Sequence, residues 1–108
     1  MATGDDLRRI ALALEGTSEA PHLDRAAFRV ARIYVTLAAD GQTANLKLEP
    51  GEQEFKCLLA PEVFSPVPGG WGRMGWTTIV LANAPLPELE AVLEMSWRHA
   101  LPKKGKKG

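Results

Sequence analysis

Residues 26–48, AAFRVARIYVTLAADGQTANLKL, decide the fold. Apolar side chains recur at every second position, the period of a strand with one face buried. Ala26–Val30 reads as one strand with Phe28 and Val30 on a common face. Ile33–Ala38 reads as a second, with Ile33, Val35 and Leu37 together. Asp40-Gly41 is a strong hairpin signal, because these residues accept the positive φ that tight hairpin turns require. It leads into Gln42–Leu48, where Ala44, Leu46 and Leu48 alternate with Asn45 and Lys47. Three consecutive antiparallel strands follow. Ala31-Arg32, between the first two, is a poor turn pair, since neither residue favours positive φ.

Upstream, Thr3 and Asp6 have the spacing of a capping box, with Asp in place of Glu. Leu7, Ile10, Ala11 and Leu14 then form one helical stripe, and Gly16 supplies a left-handed stop. Residues 17–24, with Pro21 and His22, read as an irregular edge strand or loop. Downstream, Pro50 and Glu52-Gln53-Glu54 suit the start of a short helix, with Phe55, Leu58 and Leu59 as its buried face. Pro66-Val67-Pro68-Gly69-Gly70 breaks regular structure, and Trp71–Met74 is expected to return toward a strand. Trp76–Leu81 is the best strand of the second half. Pro87–Leu101 reads as a long helix with Leu89, Val92, Leu93, Trp97, Ala100 and Leu101 on its apolar stripe. One-sided helices need a sheet face to cover. The expectation is therefore an α+β domain of two layers, an antiparallel sheet with helices on one face, in the order α-β-β-β(-β)-α-β-β-α.

A chain of 108 residues, 45% hydrophobic and 24% charged, is sized for one domain. Residues 1–101 are expected to form it, with 102–108 as a flexible basic tail. Thirteen basic and 13 acidic residues balance overall, but four lysines lie in the last six positions, Lys103, Lys104, Lys106 and Lys107. The rest carries nine basic against 13 acidic residues, a net charge of −4. Such a body is not the footprint of a protein that coats nucleic acid. The tail either attracts phosphates or serves as a solubilising end. No stretch reaches the ~18 apolar residues of a membrane span. Cys57 is the single cysteine, which rules out an internal disulfide and a multi-cysteine metal site and points to a reducing cytoplasm.

Catalytic machinery is hard to assemble from this sequence. His22 has Glu19 and Asp24 nearby but no accompanying nucleophile or metal spacing. His99 sits beside Arg98 at a helix C-terminus, where it favours the dipole. Ser18, Ser65 and Ser96 lack a nucleophile-elbow context. Cys57 reads as a small core residue, and Glu52 and Glu54 point to different helix faces. Gly69-Gly70-Trp71-Gly72-Arg73 lacks the Gly-Lys-Ser/Thr ending of a phosphate loop. No metal and no cofactor is expected. Trp71, Arg73 and Trp76 form the most suggestive cluster. An arginine between two tryptophans could stack bases or meet phosphate. Alternatively, Trp76 covers the open side of the sheet with Arg73 over its ring.

The string PVPGGWGRMGWTTIVL, residues 66–81, resembles the central signature of the MmcQ/YjbR-like family. DGQTANLKLEPGEQ, residues 40–53, is similar to that family's hairpin and short helix, and SWRHALPKK, residues 96–104, to its closing helix and basic end. The resemblance spans nearly the whole chain in the same order. It implies a secretion-chaperone-like fold and a DNA-binding role with a double-wing arrangement. The wings would be the turns at Ala31-Arg32 or Asp40-Gly41 and the loop holding Arg73. Relatives commonly carry glycine in the first of these turns; here Arg32 adds a positive charge.

The reading is thus a non-enzymatic binding module with DNA as its expected partner. Arg32, Lys47, Arg73 and the tail lysines would meet phosphates, while Trp71 and Trp76 shape the surface. The alternative is a protein-binding, chaperone-like adaptor that uses the exposed sheet face. An enzyme would require His22 in a pocket of convergent polar groups. A monomer is the slightly favoured state.

Overall fold

The computed structural model describes residues 1–102. Helix α1, Gly4–Ala13, starts at the expected capping box: the Thr3 hydroxyl accepts from the Asp6 N–H at 3.1 Å, and the Asp6 carboxylate accepts from the Thr3 N–H at 3.1 Å. Hydrogen bonds from Arg9 and Thr3 hold the Asp6 carboxyl below the usual carboxylate range. Four strands follow, β1 Ser18–His22, β2 Arg25–Arg29, β3 Ile33–Leu37 and β4 Thr43–Lys47. Then come α2 Pro50–Leu59, β5 Phe64–Pro66, α3 Gly70–Arg73, β6 Trp76–Val80, a 3₁₀ turn Leu81–Asn83 and α4 Leu86–Ala100. All strand pairs are antiparallel, in the order β1-β2-β3-β4-β6-β5. The connection through α2 carries the chain past the place where β6 later pairs with β4.

The two-layer α+β architecture is the one expected. Helices α1 and α4 cover one face, with Leu7, Ile10 and Ala11 from α1 and Leu89, Val92 and Leu93 from α4 buried against Phe28, Val35, Leu46 and Ile79 of the sheet. Residues 18–22 form an exposed edge strand, with Pro21 at an edge position where it interrupts no central ladder. Its turn into β2 places Leu23 at φ 60° with 91% of its surface exposed, a conformation disfavoured for a branched residue.

Three local readings are corrected. Residues 71–74 are not strand: Gly70–Arg73 is a single helical turn. Gly72 and Gly75 explain it. A Cβ on Gly72 would lie 1.9 Å from Val67 O, and one on Gly75, at φ 107°, would lie 1.8 Å from Leu48 O. The chain must press two backbones together here, which only glycine allows. Second, the α2 residues expected to be buried are outside, with Phe55 62%, Leu58 76% and Leu59 62% exposed. The helix turns its polar side inward. Gln53 Nε2 donates to Gly72 O at 2.9 Å and Trp76 O at 3.0 Å, and Lys56 Nζ pairs with Glu88 of α4 at 2.6 Å. Third, Ile33 does not share the face of Val35 and Leu37. Phe28 pairs with Val35 but Arg29 pairs with Ile33, leaving Tyr34 as the extra residue of a bulge. Tyr34 and Val35 consequently both enter the core, where the Tyr34 hydroxyl lies 2.8 Å from Thr17 Oγ1 and burial pushes its pKa up.

The bulge creates a second requirement. Ala38 N–H donates to Thr43 O, so the alternation of an antiparallel ladder would make Thr36/Asn45 and then Tyr34/Lys47 bonded pairs. Pairing instead stops at Val35 opposite Leu46. The buried hydroxyl of Ser96 from α4 takes the vacant place. It accepts from Lys47 N–H at 3.1 Å and shares its own proton between Tyr34 O at 2.9 Å and Lys47 O at 2.6 Å.

Removing that hydroxyl leaves buried backbone groups unpaired. Ser96→Ala is expected to lower stability by about 1–3 kcal/mol, read as a reduced urea midpoint with an unchanged slope. Gly75→Ala is expected to cost more, about 3 kcal/mol or beyond, because the added carbon meets a fixed carbonyl at a positive φ; thermal unfolding checks this.

Candidate nucleic-acid interface

The sheet face opposite α1 and α4 is built from the alternate residues of each strand. In register across all six strands run Ala20, Ala27, Thr36, Asn45, Thr78 and Ser65, a row of small, mostly polar side chains. Thr78 Oγ1 donates to Asn45 Oδ1 across the strands at 2.8 Å. On one side of this row lie His22 and Arg25, and on the other Ser18, Arg29, Lys47 and Trp76. Arg25 folds back over the row, its Nε donating to Thr36 Oγ1 at 2.9 Å. The one acidic strand residue, Glu19, faces the helical layer, where Arg8 of α1 holds both its oxygens at 3.1 Å. The open face thus carries basic side chains and no carboxylate among the described strands.

Antiparallel connections divide the loops between two ends of this face. One end gathers the Ala31-Arg32 loop, Lys47, α3 with Arg73, and the C-terminus of α4 with Arg98 and His99. A cleft of about 490 Å³ lies there, lined by Arg32, Lys47, Glu49, Arg98, His99 and Pro102, among others. His99 Nε2 is 2.8 Å from Glu52 Oε1, tying the end of α4 to the start of α2. The other end holds the Asp40-Gly41 hairpin, the Leu23-Asp24 turn and Asp5 around a shallow cavity of about 710 Å³. Of the three turns considered as wings, Ala31-Arg32 and the Arg73 segment share the basic end, while Asp40-Gly41 lies at the acidic one.

Charge pairing separates the two layers as well. Arg8, Arg9, Lys56 and Arg98 pair with carboxylates on the helices or, for Arg8, also with Glu19. Among the described residues, Arg25, Arg29, Arg32, Lys47 and Arg73 pair with none.

The residues singled out from the sequence therefore divide. Arg32 and Lys47 meet at the cleft, and Lys47 lies directly opposite Trp76 on the neighbouring strand. Trp71 and Trp76 pack edge to face, with ring centroids 6.5 Å apart at 79°. Arg73 is exposed on α3, but the cation–π contacts among the described residues are Lys56 over Phe64 and Arg98 over Trp97. The arginine is thus not stacked between the two tryptophans. Lys103, Lys104, Lys106 and Lys107 lie outside the described residues; Pro102, just before them, lines the basic cleft. Arg25 and Arg29 escaped the sequence reading. Their signal was available: if Phe28 and Val30 point inward, Arg29 points outward, and Arg25 with it.

His22 is exposed on the edge strand and Ser96 is committed to the backbone bonds described above. Burial pushes the Cys57 thiol up, away from the reactive thiolate. No described helix is long and apolar enough to cross a membrane.

Comparison with known proteins agrees with the architecture. Among curated proteins none matches the sequence significantly. A crystal structure of the Deinococcus radiodurans protein DR2400, with a DUF419 domain, superposes with a TM-score of 0.76 at 25% identity, covering 89% of this chain and 76% of that one. A Pseudomonas syringae protein shares the fold at a TM-score of 0.64 and 17% identity, over 85% of this chain and 93% of its own. The family model described as YjbR matches residues 12–99, from the end of α1 through the basic end of α4, and the chain accordingly belongs to the YjbR family.

Proposed function

We propose that this YjbR-family protein is a non-enzymatic DNA-binding module that meets the phosphate backbone with the open sheet face and its basic end. One observation carries the reading: every lysine or arginine among the described residues that lacks a carboxylate partner is on that face or at that end. An acidic body can still bind a polyanion where the strands of the contacting face present no carboxylate, because screening within about 10 Å leaves the local field in control. The basic turns at Arg32 and Arg73 flank Lys47 and Trp76, in keeping with a double-wing contact. A DNA-binding protein needs no convergent acid–base pair, and exposed His22, the committed Ser96 hydroxyl and the half-buried Cys57 thiol favour a binding role over a catalytic one. A single cysteine, with no partner for an internal disulfide, also suits a cytoplasmic setting. The adaptor reading on this same face is less well supported, since Trp76 and Val80 are half-buried and separated by Thr78, so they form no continuous apolar patch.

Binding of a labelled duplex, measured by fluorescence anisotropy in a salt titration, tests the reading. With four or five phosphate contacts from the folded body, the logarithm of the binding constant is expected to fall with the logarithm of salt at a slope of about −4. Arg29→Ala and Lys47→Ala should each reduce that slope by about one and weaken all sequences alike. Arg9→Ala, on α1 across the molecule, should leave it unchanged. A chain ending at Leu101 should retain most of the slope. Loss of all binding on that truncation, or indifference to Arg29→Ala and Lys47→Ala, would overturn the assignment to the sheet face.

A further inference from the structure

Helix α2 is amphipathic in reverse. Its polar residues Glu52, Gln53 and Lys56 face the domain and are each hydrogen-bonded to it, while Phe55, Leu58 and Leu59 project to solvent at i, i+3, i+4 spacing. Scattered exposed apolar residues need no explanation, but three large ones in a single helical stripe mark a contact surface. The stripe borders a groove. Phe55 and Leu59 line an apolar recess of about 370 Å³ with Val63, Phe64 and Pro85, between α2 and the start of α4.

We infer that this groove is a second docking surface, and that its occupant is a basic amphipathic helix of a partner protein. Area argues against a second copy of this chain. The three exposed side chains supply only part of the ~800 Å² that each partner buries in a standard interface, whereas a helix laid in a groove is held through a few anchors at this kind of spacing. Charge argues the same way. Lys56 and Glu88 neutralise each other at the groove floor, whereas Glu62 on the groove's rim and Glu54, beside Leu58 on the far flank of the stripe, have no cation partner among the described residues. A two-fold self-contact would bring acidic rims together. An incoming helix with apolar anchors and flanking lysine or arginine satisfies both features, with its largest anchor in the recess. This surface uses none of the side chains assigned to DNA, so one chain could hold both ligands and bridge them.

The test uses the full chain and a fluorescein-labelled 18-residue peptide of leucine and lysine with leucines at i, i+3, i+4, i+7 spacing; its leucine–glutamate counterpart is the charge control. The lysine peptide should bind saturably near physiological salt, and the glutamate peptide at least tenfold more weakly. Phe55→Ser, at an exposed site that leaves the core intact, should weaken the lysine peptide at least tenfold without altering the circular dichroism spectrum or duplex affinity. Glu54→Lys with Glu62→Lys should reverse the preference between the peptides. Saturable binding that ignores Phe55→Ser, equal binding of the two peptides, or no binding would overturn the inference. So would a sedimentation-detected dimer abolished by Phe55→Ser, which would give the surface to a second copy. Arg29→Ala and Lys47→Ala leave peptide binding intact if the two surfaces are separate, so failure of one reading is distinguishable from failure of the other.

Discussion

A single hydroxyl sets how the two layers meet. Ser96 of α4 occupies the position of the ladder bond between Tyr34 and Lys47, and three strand backbone groups turn to it. The need arises from the bulge at Tyr34, which directs two consecutive β3 side chains into the core and ends regular pairing one step early. A buried backbone amide or carbonyl without a partner costs about as much as a lost hydrogen bond, so such a bulge needs a donor and acceptor at this point. A serine supplies both in the smallest volume. Its location also matters: the bridge lies beneath Lys47, beside the Arg32 loop and the basic cleft, so α4 fixes the end of the sheet at which the basic loops gather.

The molecule is polarised across its thickness. Helices carry acids and the cations that neutralise them, while the open face of the sheet carries cations alone. Neutral net charge conceals this division, and even the acidic balance of residues 1–102 misstates what a phosphate at the sheet surface would meet. Local field depends on which layer each charge occupies, and that is settled by strand alternation and register rather than by composition.

The string Gly-Trp-Gly-Arg-Met-Gly-Trp owes two of its three glycines to packing. Gly72 and Gly75 let α3 press against Val67 and Leu48, and Gln53 from α2 donates to the carbonyls of Gly72 and Trp76. These glycines record where two backbones touch. Its arginine and outer tryptophan are exposed, and those are the parts of the string open to a ligand.

Sequence by itself determined α1, α2, α4 and most strands, because their signals are local. Thr3 with Asp6 fixes the start of α1, period-two alternation gives β4 and β6, and Asp40-Gly41 gives the hairpin that joins β3 to β4. It also singled out Arg32 and Lys47, which the structure brings to one cleft. Tertiary structure alone decided the rest. The stripe Phe55-Leu58-Leu59 has the spacing of a buried face, yet α2 is held by Glu52, Gln53 and Lys56, and only the positions of Gly72, Glu88 and His99 in space reveal that. Tyr34 entered the core through a bulge that no local pattern announces. Likewise, the separation of Arg32 and Arg73 from Asp40 depends on which strands are neighbours. Hydrophobic periodicity tells which side chains of a segment agree with one another; it does not tell which way the segment turns, since that is set by partners distant in the chain.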